Sequence, residues 1–419
     1  MLQSHLFTKI SRSIDKEEVS LNAQLLTRAG YVDKLMAGVY SFLPLGLRVL
    51  TKIENIVRQE MDRLGAHEVL MPALQPKDPW EQTGRWSTVD ILFKLKGAGD
   101  RDLTLGPTHE EVVTPLVGKQ IQSYRDLPVA VYQIQTKFRN EARAKSGLLR
   151  GREFRMKDMY SFHATQADLD AFYERVADAY KRIFERCGVG ATTVLTAASG
   201  GMFSKFSHEF QTLTPNGEDT VYIHPDQRLG VNRELLEMPD IMSELGLVED
   251  NGSYRKMDEF KAIEVGNIFK LGSRFADAFN LNFVDEAGQK QQIVMGCYGL
   301  GPSRLMGAVV ETLSDGSGLK WPEEISPYRF HIISLCTKSE DHQRAEALYK
   351  ELISRGIEVL FDDRIDLRAG EKFAEADMIG ITHRLIVSPK TLGQGCVEYK
   401  SRMTGETKMV PIESVVGGF

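Results

Sequence analysis

Cations are concentrated in one stretch of the chain. Phe138-Arg139-Asn140-Glu141 ends an apolar run that begins at Val129. A polar, glycine-containing loop follows, and then Arg150-Gly151-Arg152-Glu153-Phe154 opens a second run with Met156. The pattern predicts two antiparallel strands joined by a long, cationic, mobile loop. Guanidinium forks grip phosphate oxygens two at a time, so such a loop suits holding a polyanion while it reacts. Arg139 is suited to an α-phosphate and to the charge that builds there during in-line attack. Glu141 is suited to accept hydrogen bonds from an amine or a sugar. A surface hairpin with solvated charges is the alternative.

Three further segments carry polar groups at useful spacing. Ile293 to Arg304 reads as a strand, a glycine turn through Gly299 and Gly301, and a helix continuing through Leu305, Met306 and Val309. Glycines let backbone approach a flat ligand, and Arg304 can lie over an adenine face or against a terminal phosphate. A dinucleotide fingerprint fails here, because Arg304 stands where its last glycine belongs. In Leu105-Gly106-Pro107-Thr108-His109-Glu110-Glu111, a hydroxyl and a carboxylate at i and i+2 of an extended segment face one side and can hold an ammonium. The alternative is that Thr108 caps a helix over 109–117. In Ser207-His208-Glu209-Phe210-Gln211, the His and Phe suit a pocket wall and Gln211 a nucleotide or metal-bound water, unless His208 is structural. Cys297 has no Cys-His-Asn companions and reads as a pocket-lining thiol, not a nucleophile.

The elements that must position these groups follow from periodicity. Leu47, Leu50, Ile53, Val57, Met61 and Leu64 recur at steps of three or four over 45–64, predicting a helix closed by Gly65. A short strand-like run, His67 to Leu70, then reaches Met71-Pro72. A second amphipathic helix is predicted over 165–187, closed by Gly188, with strands at 191–196 and 219–224. Residues 225–262 hold polar turns and one helix, Arg233 to Leu245, and are too short for an independent domain. Beyond Trp321-Pro322 to Pro327 the pattern becomes strand (329–335), helix (339–355), strand (357–361), helix (371–379), strand (384–388) and a hairpin turning at Thr404-Gly405. That alternation predicts a small α/β domain with a partly parallel sheet.

Composition narrows the class. A chain of 419 residues holds two or three domains, and 42% hydrophobic with 26% charged residues is ordinary for a soluble globular protein. No apolar run approaches the ~20 residues needed to cross a bilayer. Asp15, Glu17 and Glu18 argue against a signal peptide. The four cysteines are isolated, with no Cys-x-x-Cys, so they indicate neither a zinc cluster nor a disulfide framework and fit a reducing cytosol. A net charge of −6 argues against a generic nucleic-acid coat but leaves room for a local basic surface.

Taken together, the segments resemble the class II aminoacyl-tRNA synthetases. The helix and strand up to Pro72 resemble their motif 1, the Arg139/Glu141 hairpin their motif 2, and Gly299, Gly301 and Arg304 the later part of their motif 3. Gly106-Pro-Thr-His-Glu-Glu-Val112, Arg152-Glu-Phe154 with Met156-Lys-Asp158, Tyr160-Ser-Phe-His163, Ser207 to Gln211, Glu264-Val-Gly266 and Gly296-Cys-Tyr-Gly-Leu-Gly301 are similar, in order, to the prolyl-tRNA synthetases. The resemblance implies an α+β catalytic domain with an antiparallel sheet over 1–326 and a C-terminal α/β anticodon-binding domain over 327–419.

It further implies activation of proline by ATP with Mg²⁺, transfer to tRNA(Pro), a homodimer and a cytoplasmic location. Thr108, Glu110 and Arg139 would surround the proline imino and carboxylate groups, with His208 and Cys297 lining the ring pocket. Arg139, Glu141, Arg150, Arg152, Phe154, Gln211 and Arg304 would bind ATP, with adenine between Phe154 and Arg304. Asp362-Asp363-Arg364 is the candidate for reading anticodon bases, with a solvated charged turn as its alternative. Two departures stand out. Residues 225–262 occupy the place where many bacterial members carry an editing domain, which implies a separate deacylase or tolerance of alanine errors. Phe203 and Phe206 add bulk where relatives tend to be glycine-rich. A non-catalytic amino-acid or tRNA sensor would be expected to lose Arg139, Glu141 or Arg304, and all three are present.

Overall fold

The computed structural model describes residues 1–11, 18–201, 206–225, 229–249 and 251–417. The chain divides into two compact units. One comprises Met36–Val39 and Glu54–Ala308; the other comprises Met1–Leu35, Tyr40–Ile53 and Val309–Phe419.

The first unit is built on a nine-stranded, mostly antiparallel sheet. Its order is Phe206–Leu213, Thr193–Ser199, Leu229–Asn232, Asp219–Ile223, Asp258–Gly272, Val294–Leu300, Glu153–His163, Val129–Phe138 and His67–Glu68. The long strand Asp258–Gly272 pairs through its first part with Asp219–Ile223 and through its later part with Phe206–Leu213, so five strands close into a ring. The expected motif 2 hairpin is present with Phe138 opposite Glu153. The helix Gln166–Arg186 buries Leu169, Phe172, Tyr173, Val176, Tyr180, Ile183 and Phe184, as its periodicity requires, and Gly188 follows at φ +81°. A three-stranded sheet of Leu74–Pro76, Asp102–Leu105 and Phe93–Lys96 stands apart from the large one.

Three local expectations are corrected. The helix Pro44–Arg63 buries Leu50, Ile53, Val57 and Met61, but Leu47 is 53% exposed. At 100° per residue Leu47 lies ~80° from the centre of that stripe. The strand after it is only His67–Glu68, a parallel edge partner of Val129–Phe138, and it does not reach Leu70. His208 to Gln211, to which the sequence pattern assigns no element, lie inside a strand, Phe206–Leu213. The single helix expected over 233–245 is a 3-10 turn, Arg233–Glu237, followed by a helix, Pro239–Glu244. Pro239 lacks an N–H and clashes with the carbonyl four residues back, so it opens a new helix and cannot continue the old one.

The second unit contains a five-stranded sheet in the order Val359–Asp362, Phe330–Ser334, His383–Val387, Cys396–Ser401, Thr407–Pro411. The first three strands are parallel and the others antiparallel, matching the mixed sheet expected. Linear patterning did not show that the N-terminus belongs here. The Met1 ammonium donates to Tyr349 Oη and Val359 O, both at 2.8 Å, and His331 Nε2 bonds Gln3 Oε1 at 2.8 Å.

Candidate active site

The site lies on one face of the large sheet, and strand alternation selects its residues. Phe154, Met156 and Asp158 project to the same side of Glu153–His163, and Cys297 and Gly299 to the same side of the neighbouring Val294–Leu300. With Thr108, Arg139, Glu141, Glu264, Asn267 and Arg304 they line a cavity of about 180 Å³. The hairpin loop folds back over it. Ala144, Gly147, Leu148 and Leu149 are buried, Ser146 takes φ +67°, and its hydroxyl donates to Glu218 at 2.5 Å.

One end of the cavity is cationic. Arg139 sits over the Phe154 ring at 5.3 Å. Burial, and then the charge of Arg304, push the Arg139 guanidinium below its ordinary pKa. Arg304 donates to Glu264 Oε2 at 2.6 Å and to Glu264 O at 3.1 Å, and that pairing raises its pKa against the opposing effect of burial. Two half-buried guanidiniums that repel each other across a cavity form a binding site for an anion. Arg150 lines the cavity and is exposed.

The other end holds Thr108 and Cys297. Thr108 Oγ1 donates to Glu110 Oε2 at 2.6 Å, and the Cys297 thiol donates to Glu110 Oε1 at 3.4 Å. Glu110 is fully buried directly behind these two and opens the helix Glu110–Gly118. The extended i, i+2 arrangement is therefore corrected, and so is the capping alternative: His109 occupies the N-cap and Thr108 makes no cap bond. Burial, and then the charge of Glu110, raise the Cys297 thiol well above its ordinary pKa, so a thiolate nucleophile is disfavoured.

Sequence reasoning missed Asp158. Its Oδ2 accepts from Lys137 (2.9 Å), Gln133 (3.1 Å) and Tyr160 (3.0 Å), while Oδ1 is buried without a partner among the described residues. Burial works to raise this carboxyl, but Lys137 and His109 overcome it and hold it below the usual range. The motif Met156-Lys-Asp158 was the available signal, but only the register places Asp158 in the cavity wall. Glu264 and Asn267 were likewise missed as wall residues.

A polar cluster adjoins the cationic end. Asp219, Glu264, Arg150 and Arg304 line a small neighbouring hollow. Gln211 Nε2 donates to Glu209 (2.9 Å) and Asp219 (3.0 Å), and Asn267 Nδ2 donates to Glu209 (3.1 Å). Gln211 Oε1 and Asn267 Oδ1 are buried with no partner among the described residues. Burial, and then Glu264, push Glu209 up to about 8, and burial also raises Asp219.

Several expected site residues are not in the cavity wall. His208 bonds Tyr173 Oη at 2.8 Å, and Phe206 packs edge-on against it at 4.8 Å; burial and Lys270 lower His208 to about 4. Phe203 lies outside the described residues. Arg152 closes the hairpin loop, donating to Glu141 O at 2.9 Å and Ala37 O at 3.3 Å. Asp362 is buried and accepts two bonds from Arg364, at 2.8 and 2.9 Å, and Asp363 accepts from Ser4 at 2.5 Å, so this trio is engaged within its own fold.

Comparison with known proteins decides the family. Residues 93–313 match the tRNA synthetase class II core domain (G, H, P, S and T), and residues 330–419 match an anticodon binding domain. The chain is 35% identical over 560 aligned positions to the proline–tRNA ligase of Bacillus cytotoxicus, covering 99% of this chain and 98% of that one. The chain belongs to the proline–tRNA ligase family. A second relative, the proline–tRNA ligase of Dehalococcoides mccartyi, is 35% identical with the same coverage. Both alignments are much longer than 419 residues, so these members carry a long stretch that this chain lacks. The fold matches that of Giardia lamblia prolyl-tRNA synthetase in complex with prolyl-adenylate, with a TM-score of 0.77 and 20% identity over 94% of this chain and 75% of that one. It also matches the Cryptosporidium parvum prolyl-tRNA synthetase complexed with L-proline and AMP, with a TM-score of 0.74 and 19% identity over 94% of this chain and 73% of that one. Among the described residues no helix is long and apolar enough to cross a membrane.

Proposed function

We propose that this cleft activates proline with ATP to prolyl-adenylate and that the chain then passes the prolyl group to the 3′ end of tRNA(Pro), with no editing domain in cis. The observation that carries this reading is one cavity with two mutually repelling guanidiniums at one end and a carboxylate-backed hydroxyl at the other.

The side chains divide the work. Because Thr108 gives its proton to Glu110, its oxygen turns a lone pair toward the imino group, with the Glu110 charge directly behind. Asp158 Oδ1 offers a second acceptor for the same nitrogen. Cys297 fills the ring pocket as a neutral thiol. Arg139 holds the attacking carboxylate against the α-phosphate and stabilises the charge that develops there. Arg304, Arg150 and the glycine-lined floor at Gly299 and Gly301 suit the nucleotide, and Glu141 its amine or sugar. Adenine stacking on Phe154 requires the face that Arg139 leaves open. No protein nucleophile is needed.

The donor set fits Mg²⁺ carried in with the triphosphate. Asp219 and Glu264, with the amide oxygens of Gln211 and Asn267, are hard oxygen donors. Among the described residues no group of three or more His, Cys, Asp or Glu is arranged as a metal cage, which suits an ion held mainly by phosphate. When bound, the ion would neutralise phosphate charge.

A cytoplasmic homodimer completes the reading. Leu47 and Leu70, at 53% and 79% exposure on the stretch that resembles motif 1, and Leu74 just beyond it, at 51%, are each apolar surface of the kind a second copy would cover. Missing methylenes discriminate by only ~1–3 kcal/mol each, so alanine enters a proline pocket, and either a separate deacylase removes it or the error is tolerated. The test is amino-acid-dependent ATP–pyrophosphate exchange without tRNA across proline, alanine, cysteine, threonine and histidine. Exchange strongest with proline and weaker with alanine is expected; no exchange with any of them, in folded protein supplied with Mg²⁺, overturns the reading. Deacylation of alanyl-tRNA(Pro) by the purified chain would overturn the absence of cis editing.

A further inference from the structure

Arg85 lies outside the segment matched by the class II core and has no place in the chemistry above. We propose that Arg85 is a positioning residue for recognition of the substrate's nitrogen, acting through Glu110 on Thr108. The inference rests on the proposed role of Thr108 and Glu110.

Arg85 is 1% exposed, and its Nη1 donates to Glu110 Oε2 at 3.2 Å and to Glu111 Oε1 at 2.8 Å. Glu110 Oε2 therefore receives Arg85 and Thr108, while Oε1 receives the Cys297 thiol. A fully buried carboxylate with fixed donors has one orientation. That orientation draws the Thr108 proton inward and leaves the hydroxyl oxygen as an acceptor toward the cavity. Without the guanidinium, Glu110 and Glu111 would be adjacent buried carboxylates with no cation between them.

The surroundings fix Arg85 in turn. Its guanidinium lies 5.1 Å from the Trp80 ring and 5.3 Å from the Phe275 ring. The Arg85 amide donates to Trp80 O at 2.8 Å, Trp80 Nε1 donates to Gln75 Oε1 at 2.8 Å, and Gln75 Nε2 donates to Thr108 O at 3.1 Å. One short region thus holds Thr108 by its backbone through Gln75 and by its side chain through Arg85 and Glu110. Lysine cannot reproduce the arrangement, because a point charge on a flexible stem lacks the planar fork that rests between two rings.

A purely structural role would make Arg85 a neutraliser of buried charge, felt in stability alone. The full chain carrying Arg85→Lys or Arg85→Met separates the two. Proline-dependent exchange should show KM for proline raised about tenfold in Arg85→Lys and further in Arg85→Met, with KM for ATP within about twofold of the parent. The acid limb of kcat/KM for proline should also move to higher pH, because the Arg85 guanidinium opposes the burial that raises Glu111, and losing it leaves Glu111 harder to ionise. Unchanged KM for proline and an unmoved pH limb in folded Arg85→Lys would overturn the proposal, as would KM for proline and ATP rising together. If Arg85→Met does not fold, Arg85→Lys decides alone. If the parent exchanges only with another amino acid, the proline reading fails while the same variants still test Arg85 with that amino acid.

Discussion

Buried charge is handled differently in the catalytic cleft and in the C-terminal α/β unit. In the C-terminal unit it is closed on itself: Arg402 donates to both oxygens of Asp315 at 2.8 and 2.7 Å, and Arg364 donates twice to Asp362. The Arg402 bonds hold the Asp315 carboxyl well below the usual range. In the cleft, polar atoms are left over. Arg139 Nε, Asp158 Oδ1, Gln211 Oε1 and Asn267 Oδ1 are buried without partners among the described residues, and Glu209 is pushed up to about 8. The C-terminal unit also leaves Arg384 Nε and Arg402 Nε without hydrogen-bond partners among the described residues, but each of these guanidiniums has a carboxylate of its own, Asp377 and Asp315, whereas the cleft leaves its unpartnered atoms to substrates. Substitutions in the first should therefore be read in stability, and in the second in chemistry.

The largest expected effect comes from Arg139→Ala, which should slow adenylate formation by on the order of 10²-fold or more. Its melting temperature should stay near that of the parent, because removing a repelling guanidinium relieves strain on Arg304. Near-normal exchange in this variant would break the comparison at its strongest point. Asp315→Asn should do the opposite, destabilising the chain by about 1.5–3 kcal/mol in urea unfolding, as charged hydrogen bonds do, with exchange unchanged.

The two regions should also respond oppositely to pH. Glu209 is raised above its ordinary value, so its ionisation opposes folding: the stability it contributes is full below the ordinary carboxylate range and is lost as pH rises toward about 8. Asp315 is depressed, so its contribution is full above the ordinary range and is lost as pH falls. Hydrogen exchange compared at about pH 3, pH 5 and pH 8 should loosen the C-terminal unit at about pH 3 and the cleft at pH 8. The smallest effect is that of Glu209→Gln, which should raise the melting temperature by roughly a few degrees at pH 8 and leave it unchanged at pH 5. An equal gain at both would mean that Glu209 does not titrate in this window.

Much of this was legible in the sequence, for a physical reason. Strand and helix periods are local, so the hairpin from Val129 to His163 and the helix closed by Gly188 could be read from neighbouring residues. Arg139, Glu141 and Arg304 stand in short motifs that pair a cation with a turn, and the structure brings all three to one cavity. What escaped depends on register or distance. Asp158 reaches the wall by strand alternation, and Arg85 meets Glu110 across 25 residues. Pro239 was visible, yet the apolar period around it concealed the break. His208 and Gln211 were placed by motif alone, and the wall does not include them.

The ring of five strands has one further consequence. Asn232 and Phe260 both stand opposite Val221, one on each side of its strand, so the chain leaves the ring after Asn232 and re-enters it from Asp258 only two strands away. Chain spliced between such points lengthens a loop whose ends are already held together, and each doubling of that loop costs only about 0.6 kcal/mol. A whole module can therefore be gained or shed at this doorway without redrawing the sheet, so accuracy of translation can evolve as a detachable part while the chemistry beside it stays intact.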